Sequence, residues 1–178
     1  MIANSLYAKG LYREYLTPSK INIMYQTSAL HDIGKVGVSD LILKKKGKLT
    51  YDEFTIMKTH SKLGKNIIDN AISSYKENDF FITASNIVYY HHEKFDGTGY
   101  PVGLKGEDIP LEARIMALAD VYDALMSKRV YKESFSYKKT KEIIISGTGE
   151  HFDPIIVEAF LNQEEEFKKI SLQYTDKI

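Results

Sequence analysis

Cysteine is missing from this sequence of 178 residues, and its absence narrows the available chemistry. Without thiols there are no disulfides, no thiolate zinc sites and no cysteine nucleophiles, so a metal ion would need histidine and carboxylate ligands. Long apolar runs are also missing. None approaches the roughly 20 residues of a membrane-spanning helix, and the N-terminus lacks the layout of a signal peptide. We therefore expect a soluble protein, and the thiol-free composition suits a reducing cytoplasm.

The chain has no excess charge of either sign. Lysine and arginine total 24, aspartate and glutamate also total 24, and the formal net charge is zero. A neutral chain has no overall positive field that would draw it onto duplex nucleic acid or an anionic membrane, so an anion must be bound by a local group of residues. The length suits one domain with its own hydrophobic core, and we expect residues 1–178 to form it.

Apolar residues recur three and four positions apart through most of the chain, whereas the alternating pattern of strands is scarce. This pattern predicts an all-α fold, a single compact multi-helix domain, with capping residues marking several helix starts. The predicted helices are 18–33 after Thr17, Thr50 to about 70, 79–93, 110–127, 136–147 and a last helix that begins at Asp153-Pro154. The glycine-rich segment 93–110 is predicted to be an ordered loop, and the acidic tail after Gln163 a solvated helix end.

Four of the five histidines stand near acids or beside one another. The group comprises His31-Asp32, His60, His91-His92 and, further along, Asp120. Imidazole nitrogens and carboxylate oxygens are the ligands left for metal ions in a chain without thiols. A carboxylate can also bridge two ions through its two oxygens, and Asp32 is well suited to do so.

Helical spacing places Asp120 and His60 on buried stripes. Apolar residues surround Asp120 along its helix, and a buried carboxylate is costly unless it is paired, hydrogen-bonded or bound to a metal. Ordinary explanations remain open: a core histidine bonded to a carbonyl, adjacent histidines of which one is solvated, or an ion pair of Asp120 with Arg114 or Lys128. Together, the four histidines and two acids favour a metal site, and their spacing leaves the number of ions open.

Seven short sequence motifs occur in order along the chain. They are His31-Asp32-Ile33-Gly34-Lys35-Val36-Gly37, Lys58-Thr59-His60 with Gly64, His91-His92-Glu93, Asp96-Gly97-Thr98-Gly99-Tyr100-Pro101, Ala119-Asp120-Val121-Tyr122-Asp123-Ala124-Leu125, Arg129-Val130-Tyr131-Lys132 and Phe152-Asp153-Pro154. In this order they resemble HD-GYP domains, a branch of the HD phosphohydrolase superfamily found in bacterial signalling. The match runs from about residue 24 to about residue 160, and as an ordered set it is highly specific.

The resemblance implies an all-helical fold that holds a centre of two, sometimes three, iron or manganese ions. This centre would hydrolyse cyclic di-GMP to the linear dinucleotide pGpG or to GMP. Asp32 would bridge two ions and Lys35 would neutralise a phosphate oxygen, so these are the implied catalytic residues. The implied metal ligands are His31, Asp32, His60, His91, His92 and Asp120. The implied substrate-binding residues are Lys35, Gly99, Tyr100, Pro101, Arg129 and Lys132.

These residue types suit phosphodiester hydrolysis. The reaction needs a hydroxide at neutral pH and stabilisation of charge on the phosphoryl oxygens, and metal ions supply both. Lys35 and Arg129 can add fixed positive charge, and Tyr100 offers a flat face for a guanine. The ordinary alternatives are a helix-capping Lys35, solvated Arg129 and Lys132, and turn packing of Tyr100-Pro101.

One part of the family pattern is missing. HD-GYP domains usually carry another histidine ligand, often near a glutamate, on a helix before the His-Asp motif, whereas residues 1–30 contain no histidine and Glu14 as their only acid. We expect a domain truncated at its N-terminal helix or a reduced metal site, and a sensor or receiver domain before residue 1. The rival functions are a non-catalytic module that binds cyclic di-GMP or docks proteins, and an HD phosphohydrolase for another nucleotide. The resemblance also allows diguanylate cyclase (GGDEF) domains and a second copy of the chain as partners.

Overall fold

The computed structural model describes residues 1–72, 78–127 and 134–175, and its regular elements there are helical. The α-helices of these ranges are α1 (Ile2–Ala8), α2 (Pro18–Ser28), α3 (Asp40–Leu43), α4 (Tyr51–Ile72), α5 (Asp79–Tyr90), α6 (Leu111–Met126), α7 (Tyr137–Ser146), α8 (Pro154–Leu161) and α9 (Glu164–Thr175). Two 3-10 turns, Ile33–Gly37 and Gly106–Asp108, precede α3 and α6. The predicted all-α fold is confirmed. Within the described ranges, no helix combines the length and apolar content needed to cross a membrane.

Helix starts lie where capping residues predict them. The Thr17 hydroxyl accepts a backbone N–H of the first turn of α2 at 3.1 Å, and Thr50 and Glu53 form the predicted reciprocal pair before α4. A side-chain oxygen that accepts such an N–H satisfies a donor that the helix start leaves unpaired, so each cap defines where its helix begins. Ser136 and Asp153 cap α7 and α8 in the same way.

The second helix is shorter than predicted. α2 ends at Ser28, and the chain continues through a turn into the 3-10 turn Ile33–Gly37 instead of remaining helical to residue 33. A β-carbon on Gly34 would lie 1.9 Å from the His60 carbonyl oxygen, which shows how closely this turn approaches α4. The local helical pattern gives way because contact with α4 fixes the path of the chain here.

The acidic tail differs from its prediction as a solvated helix end, and α8 is not the last helix. Phe167 on α9 is buried against Tyr122 and Phe160, at ring-centroid distances of 4.9 and 4.6 Å. The Tyr122 hydroxyl also donates to the Phe167 carbonyl oxygen at 2.9 Å. Burying the Phe167 ring contributes about 2 kcal/mol, and the partly buried Ile170 adds a second apolar contact that docks α9 on the core.

The main core lies between the N-terminal helices, α6 and the C-terminal helices. Its most deeply buried members include Leu6, Leu16, Leu118, Ile144, Ile156 and Phe160. A smaller cluster of Ile68, Ala84 and Val88 joins α4 to α5. The 3-10 turn Ile33–Gly37 also packs against α4. The segments that carry four of the histidines are therefore held side by side.

Candidate metal centre

Four side chains from three separate segments meet at one point. Asp32, His60, His91 and His92 each offer a ligand atom, and these four atoms lie within 4.8 Å of one another. Asp32 comes just before the first 3-10 turn, His60 lies near the middle of α4, and the adjacent histidines follow the end of α5. The packing of the turn and of α5 against α4 therefore brings the four side chains together.

The two oxygens of Asp32 face different neighbours. Oδ1 lies 3.5 Å from Nε2 of His60 and 4.0 Å from Nε2 of His91. Oδ2 lies 3.3 Å from Nε2 of His31 and accepts a hydrogen bond from the Lys35 ammonium. A carboxylate shared between two groups of neighbours in this way has the arrangement that bridging two ions requires.

Asp120 adjoins this cluster through His31. Its Oδ1 lies 3.7 Å from Nε2 of His31, and its side chain is 26% exposed, so the carboxylate lies at the edge of the cluster. Arg114, one of the alternative partners for Asp120, donates to Asp153 at 2.6 Å. The other alternative, Lys128, lies outside the described residues.

Backbone carbonyl groups hold three of the imidazoles in place. In His31, His60 and His91, Nδ1 lies 2.9, 2.8 and 3.0 Å from a carbonyl oxygen three or four residues earlier. Because a carbonyl oxygen can only accept, Nδ1 carries a proton in each ring, and Nε2 keeps its lone pair when the ring is neutral; a protonated His31 donates from Nε2 to Asp32 instead. In each ring Nε2 faces Asp32, which is the tautomer and orientation that a metal ligand needs.

Three buried polar atoms of the cluster have no hydrogen-bond partner in the described part of the chain: Asp32 Oδ1, His60 Nε2 and His91 Nε2. A buried polar atom without a partner costs roughly 1–3 kcal/mol, and here all three are acceptors that face one another. One divalent cation would satisfy them together, and mixed imidazole and carboxylate donors suit first-row transition metals. The residues present therefore fit a metal ion.

The electrostatics keep Asp32 ionised and the deepest histidines neutral. Burial opposes the charge on Asp32, but hydrogen bonds from His31 and Lys35 hold the pKa of its carboxyl well below its ordinary value. Burial, together with neighbouring imidazoles, lowers the pKa of His91 to about 4 and that of His92 to about 2. Neutral imidazoles beside a charged carboxylate are in the protonation states that bind metal.

Acid is expected to destabilise the metal-free protein. Burial lowers the pKa of His60, as it does for His91 and His92, below the ordinary value of 6.5. As the pH falls below that value, the unfolded chain takes up protons that the folded chain does not, so the free energy of unfolding decreases. Burial also disfavours charge on His31, but its contacts with Asp32 raise its pKa, and this single opposite contribution offsets only part of the loss.

Urea unfolding in the presence of a chelator measures this effect. Between about pH 7 and pH 5, the free energy of unfolding should fall by at least about 1 kcal/mol. His92→Gln should make the dependence on pH shallower, because it removes one of the groups that resist protonation. A wild-type protein that is equally stable at both pH values would contradict the prediction.

The glycine-rich loop after α5 places Tyr100 beside the histidines. Tyr100 stacks on His92 with 4.8 Å between ring centroids and 29° between ring planes, and the Tyr100–Pro101 peptide bond is cis. A β-carbon on Gly99 would come within 2.3 Å of the Lys94 nitrogen. Glycine is therefore required next to Tyr100 for the loop to lie this close to the end of α5.

A buried carboxylate for which the sequence predicts no role anchors this loop. Glu93 is 2% exposed, and it accepts the backbone N–H groups of Val102 at 2.8 Å and Gly103 at 3.1 Å. α5 ends at Tyr90, short of the predicted residue 93, because Glu93 belongs to the loop. The signal was present in the sequence, as an acid placed directly before a loop rich in backbone donors.

The remaining predicted site residues divide into those the structure places and those it does not describe. His91 is buried, and His92 is partly buried with its ring centroid 4.0 Å from that of His91, so both adjacent histidines face the cluster. Lys35 binds Asp32 and is more than a helix cap. Arg129 and Lys132 lie outside the described residues.

The chain is similar to one domain family and to several named proteins. Residues 6–156 match the family model described as HD domain. The chain is 50% identical over 175 residues to a cyclic di-GMP phosphodiesterase of Vibrio cholerae, a match that covers 98% of this chain and 36% of that protein. It is 39% identical over 171 residues to the cyclic di-GMP phosphodiesterase response regulator RpfG of Xanthomonas campestris, covering 95% of this chain and 44% of the relative.

A relative named for a different substrate matches over a similar range. The chain is 39% identical over 173 residues to the 3'3'-cGAMP-specific phosphodiesterase 2 of Vibrio cholerae, covering 97% of this chain and 32% of that protein. The chain thus spans less than half the length of each of these three relatives.

Proposed function

Because this chain belongs to the HD domain family, in its HD-GYP branch, we propose that it is a metal-dependent phosphodiesterase that hydrolyses cyclic di-GMP. The observation that carries the proposal is the meeting of one carboxylate and three imidazoles within 4.8 Å, with three unpaired acceptor atoms among them. The proposed products are linear pGpG, GMP or both.

We expect two divalent ions, iron or manganese, on the two sides of Asp32. One proposed donor set is Asp32 Oδ1 with His60, His91 and His92, and the other is Asp32 Oδ2 with His31 and Asp120. Ions held there would lower the pKa of a bound water and neutralise charge on the phosphoryl oxygens. The two sets share the Asp32 carboxylate, so this residue orients both.

Lys35 provides fixed positive charge beside the same carboxylate. Its ammonium donates to Asp32 Oδ2, and its side chain is 42% exposed, so it can reach a phosphoryl oxygen without leaving the cluster. Negative charge on the phosphoryl oxygens grows as water attacks the phosphorus. A cation already in place therefore stabilises the transition state more than the bound substrate.

Tyr100 is proposed to hold the substrate at the edge of the cluster. Burial, followed by the negative charges of Asp32 and Asp120, raises the pKa of Tyr100, so its hydroxyl stays protonated and can donate a hydrogen bond. The loop backbone around it would add further contacts to the cyclic dinucleotide. The proposed binding residues are Lys35, Gly99, Tyr100, Pro101, Arg129 and Lys132.

Turnover by purified protein loaded anaerobically with iron or manganese tests the proposal. Chromatography should show conversion of cyclic di-GMP to pGpG, GMP or both, and the same protein treated with a chelator should show none. Elemental analysis should find about two ions per chain, as a bridged centre requires. Two bound ions without turnover would refute the proposed phosphodiesterase activity. Tight binding of cyclic di-GMP by protein that holds substoichiometric metal would favour the non-catalytic binding module.

The proposal extends to the setting in which the domain acts. Family membership supports residues 1–178 as one HD-GYP-like domain that acts in the cytoplasm, with GGDEF domains of diguanylate cyclases and a second copy of the chain as protein partners. Light scattering during size-exclusion chromatography, with and without a GGDEF domain, tests both partners. A monomer that elutes separately from the GGDEF domain would rule them out.

A further inference from the structure

A lysine and an aromatic ring on α4 flank the Tyr100 loop beside the metal centre. Phe54 and Lys58 are one helical turn apart, so their side chains lie on the same face of α4. The Lys58 ammonium lies 5.4 Å from the centre of the Phe54 ring and 5.9 Å from the centre of the Tyr100 ring. The mechanism proposed above uses neither Phe54 nor Lys58.

The rings of Phe54 and Tyr100 form a corner. Their centroids are 6.3 Å apart, and the ring planes are nearly perpendicular, at 85°. Tyr100 in turn stacks on His92, so the corner adjoins the metal centre. Phe54 is 46% exposed, although burying a phenylalanine ring would contribute about 2 kcal/mol to stability. An exposed flat ring next to the substrate position is a surface on which a nucleobase can stack.

Lys58 carries a charge that no described carboxylate neutralises. No acid in the described ranges lies within 4.0 Å of its ammonium, whereas Lys45 pairs with Glu53 and Lys65 pairs with Asp69. The Lys58 ammonium instead lies over the two aromatic rings. The ring faces attract the positive charge but accept no conventional hydrogen bond, so the N–H donors of the Lys58 ammonium are available to a ligand.

The segment around this corner is basic. Residues 35–65 contain eight lysines and three acidic residues, in a chain whose net charge is zero. Four of these lysines pair with a carboxylate in the described residues: Lys35, Lys44, Lys45 and Lys65. Lys58 has no such pair, so its charge stays available to a ligand.

We infer that Phe54 and Lys58 form the subsite for one guanine of the substrate, an inference that rests on the proposed function. The base stacks on the Phe54 ring, and the Lys58 ammonium turns from the rings to donate to O6 and N7 of the guanine. Adenine presents an amino group in place of O6, so it offers the ammonium one acceptor fewer and a repelling donor. The subsite therefore favours guanine over adenine.

Lys58→Met tests the role of the ammonium while keeping an unbranched side chain over the rings. We expect KM for cyclic di-GMP to rise about tenfold with kcat changed less than about twofold, because the lost contact binds the base and not the reacting phosphate. The inhibition constant of cyclic di-AMP, which has no guanine, should change less than about twofold. Lys62→Met, one turn further along α4 and exposed, is the matched control and should behave as the wild type.

Phe54→Leu tests stacking, because it keeps an apolar side chain and removes the flat ring. KM for cyclic di-GMP should rise at least about fivefold, and Phe54→Trp, which restores a flat ring, should return it to near the wild-type value. Thermal unfolding of both variants identifies any loss of folding. Equal KM values for the leucine and tryptophan variants would overturn the stacking role, and an equal loss of affinity for both cyclic dinucleotides in Lys58→Met would overturn the base contact.

Measurements on the wild-type protein separate this inference from the proposed function. If the wild type hydrolyses cyclic di-GMP and Lys58→Met leaves KM unchanged, the subsite is wrong while the proposed function stands. If the wild type binds cyclic di-GMP without hydrolysing it, the hydrolase proposal fails, and calorimetric affinities of the wild type and Lys58→Met decide the subsite. A wild type that does not bind cyclic di-GMP overturns both.

Discussion

Asp32→Asn is expected to lower kcat for cyclic di-GMP by at least about a thousandfold. The change keeps the size of the side chain and removes the charge that lies between two donor sets, 3.5 Å from His60 Nε2 on one side and 3.3 Å from His31 Nε2 on the other. A carboxamide cannot accept at both ends, because one end is a donor. Losing about 4 kcal/mol of stabilisation through a lost or displaced ion corresponds to roughly three factors of ten in rate.

In the same Asp32→Asn preparation, kcat and the metal content found by elemental analysis should fall together, because the carboxylate acts through the ions it holds. Asp40→Asn is the matched control, since Asp40 is exposed and pairs with Lys44 on the surface of α3. We expect this control to keep the metal content and kcat of the wild type. A fully active Asp32→Asn protein would show that the metal centre does not depend on this carboxylate.

Gly34→Ala is expected to have a large effect on folding. A β-carbon at this position would lie 1.9 Å from the His60 carbonyl oxygen and 2.4 Å from the Gly64 nitrogen. Both atoms belong to the backbone of α4, which cannot move aside as the end of a side chain can. Overpacking against backbone should therefore cost at least about 3 kcal/mol, and it would also push Asp32 away from His60.

Urea and thermal unfolding followed by circular dichroism measure this loss, and the melting temperature of Gly34→Ala should fall by about 10 °C. Gly37→Ala is the matched control from the same 3-10 turn. Its β-carbon would meet Leu63 Cδ1 at 2.9 Å, and that flexible side-chain end can shift. We expect this control to lose less than about 1 kcal/mol. A Gly34→Ala protein as stable as Gly37→Ala would mean that the turn does not contact α4 in solution.

At the candidate metal centre, the sequence predicts the types of ligand but not their arrangement. Residue types alone indicated histidines and acids as the candidate ligands, because a chain without thiols offers few others. The split of Asp32 between His60 and His31 could not be predicted, because it depends on how the 3-10 turn packs against α4. Glu93 had no assigned role for a similar reason, since its partners lie on a loop whose path is fixed by Gly99.

By itself, the sequence determined the helix starts and the kinds of side chain that could bind a metal. A cap and the three-and-four spacing of apolar residues act within a few consecutive positions, and ligand chemistry belongs to each side chain alone. Only the tertiary structure decided that α9 docks through Phe167, that the oxygens of Asp32 face two donor sets, and that Lys58 meets Tyr100. These contacts join residues on different elements, so they depend on the packing between those elements, which no local pattern of residues contains.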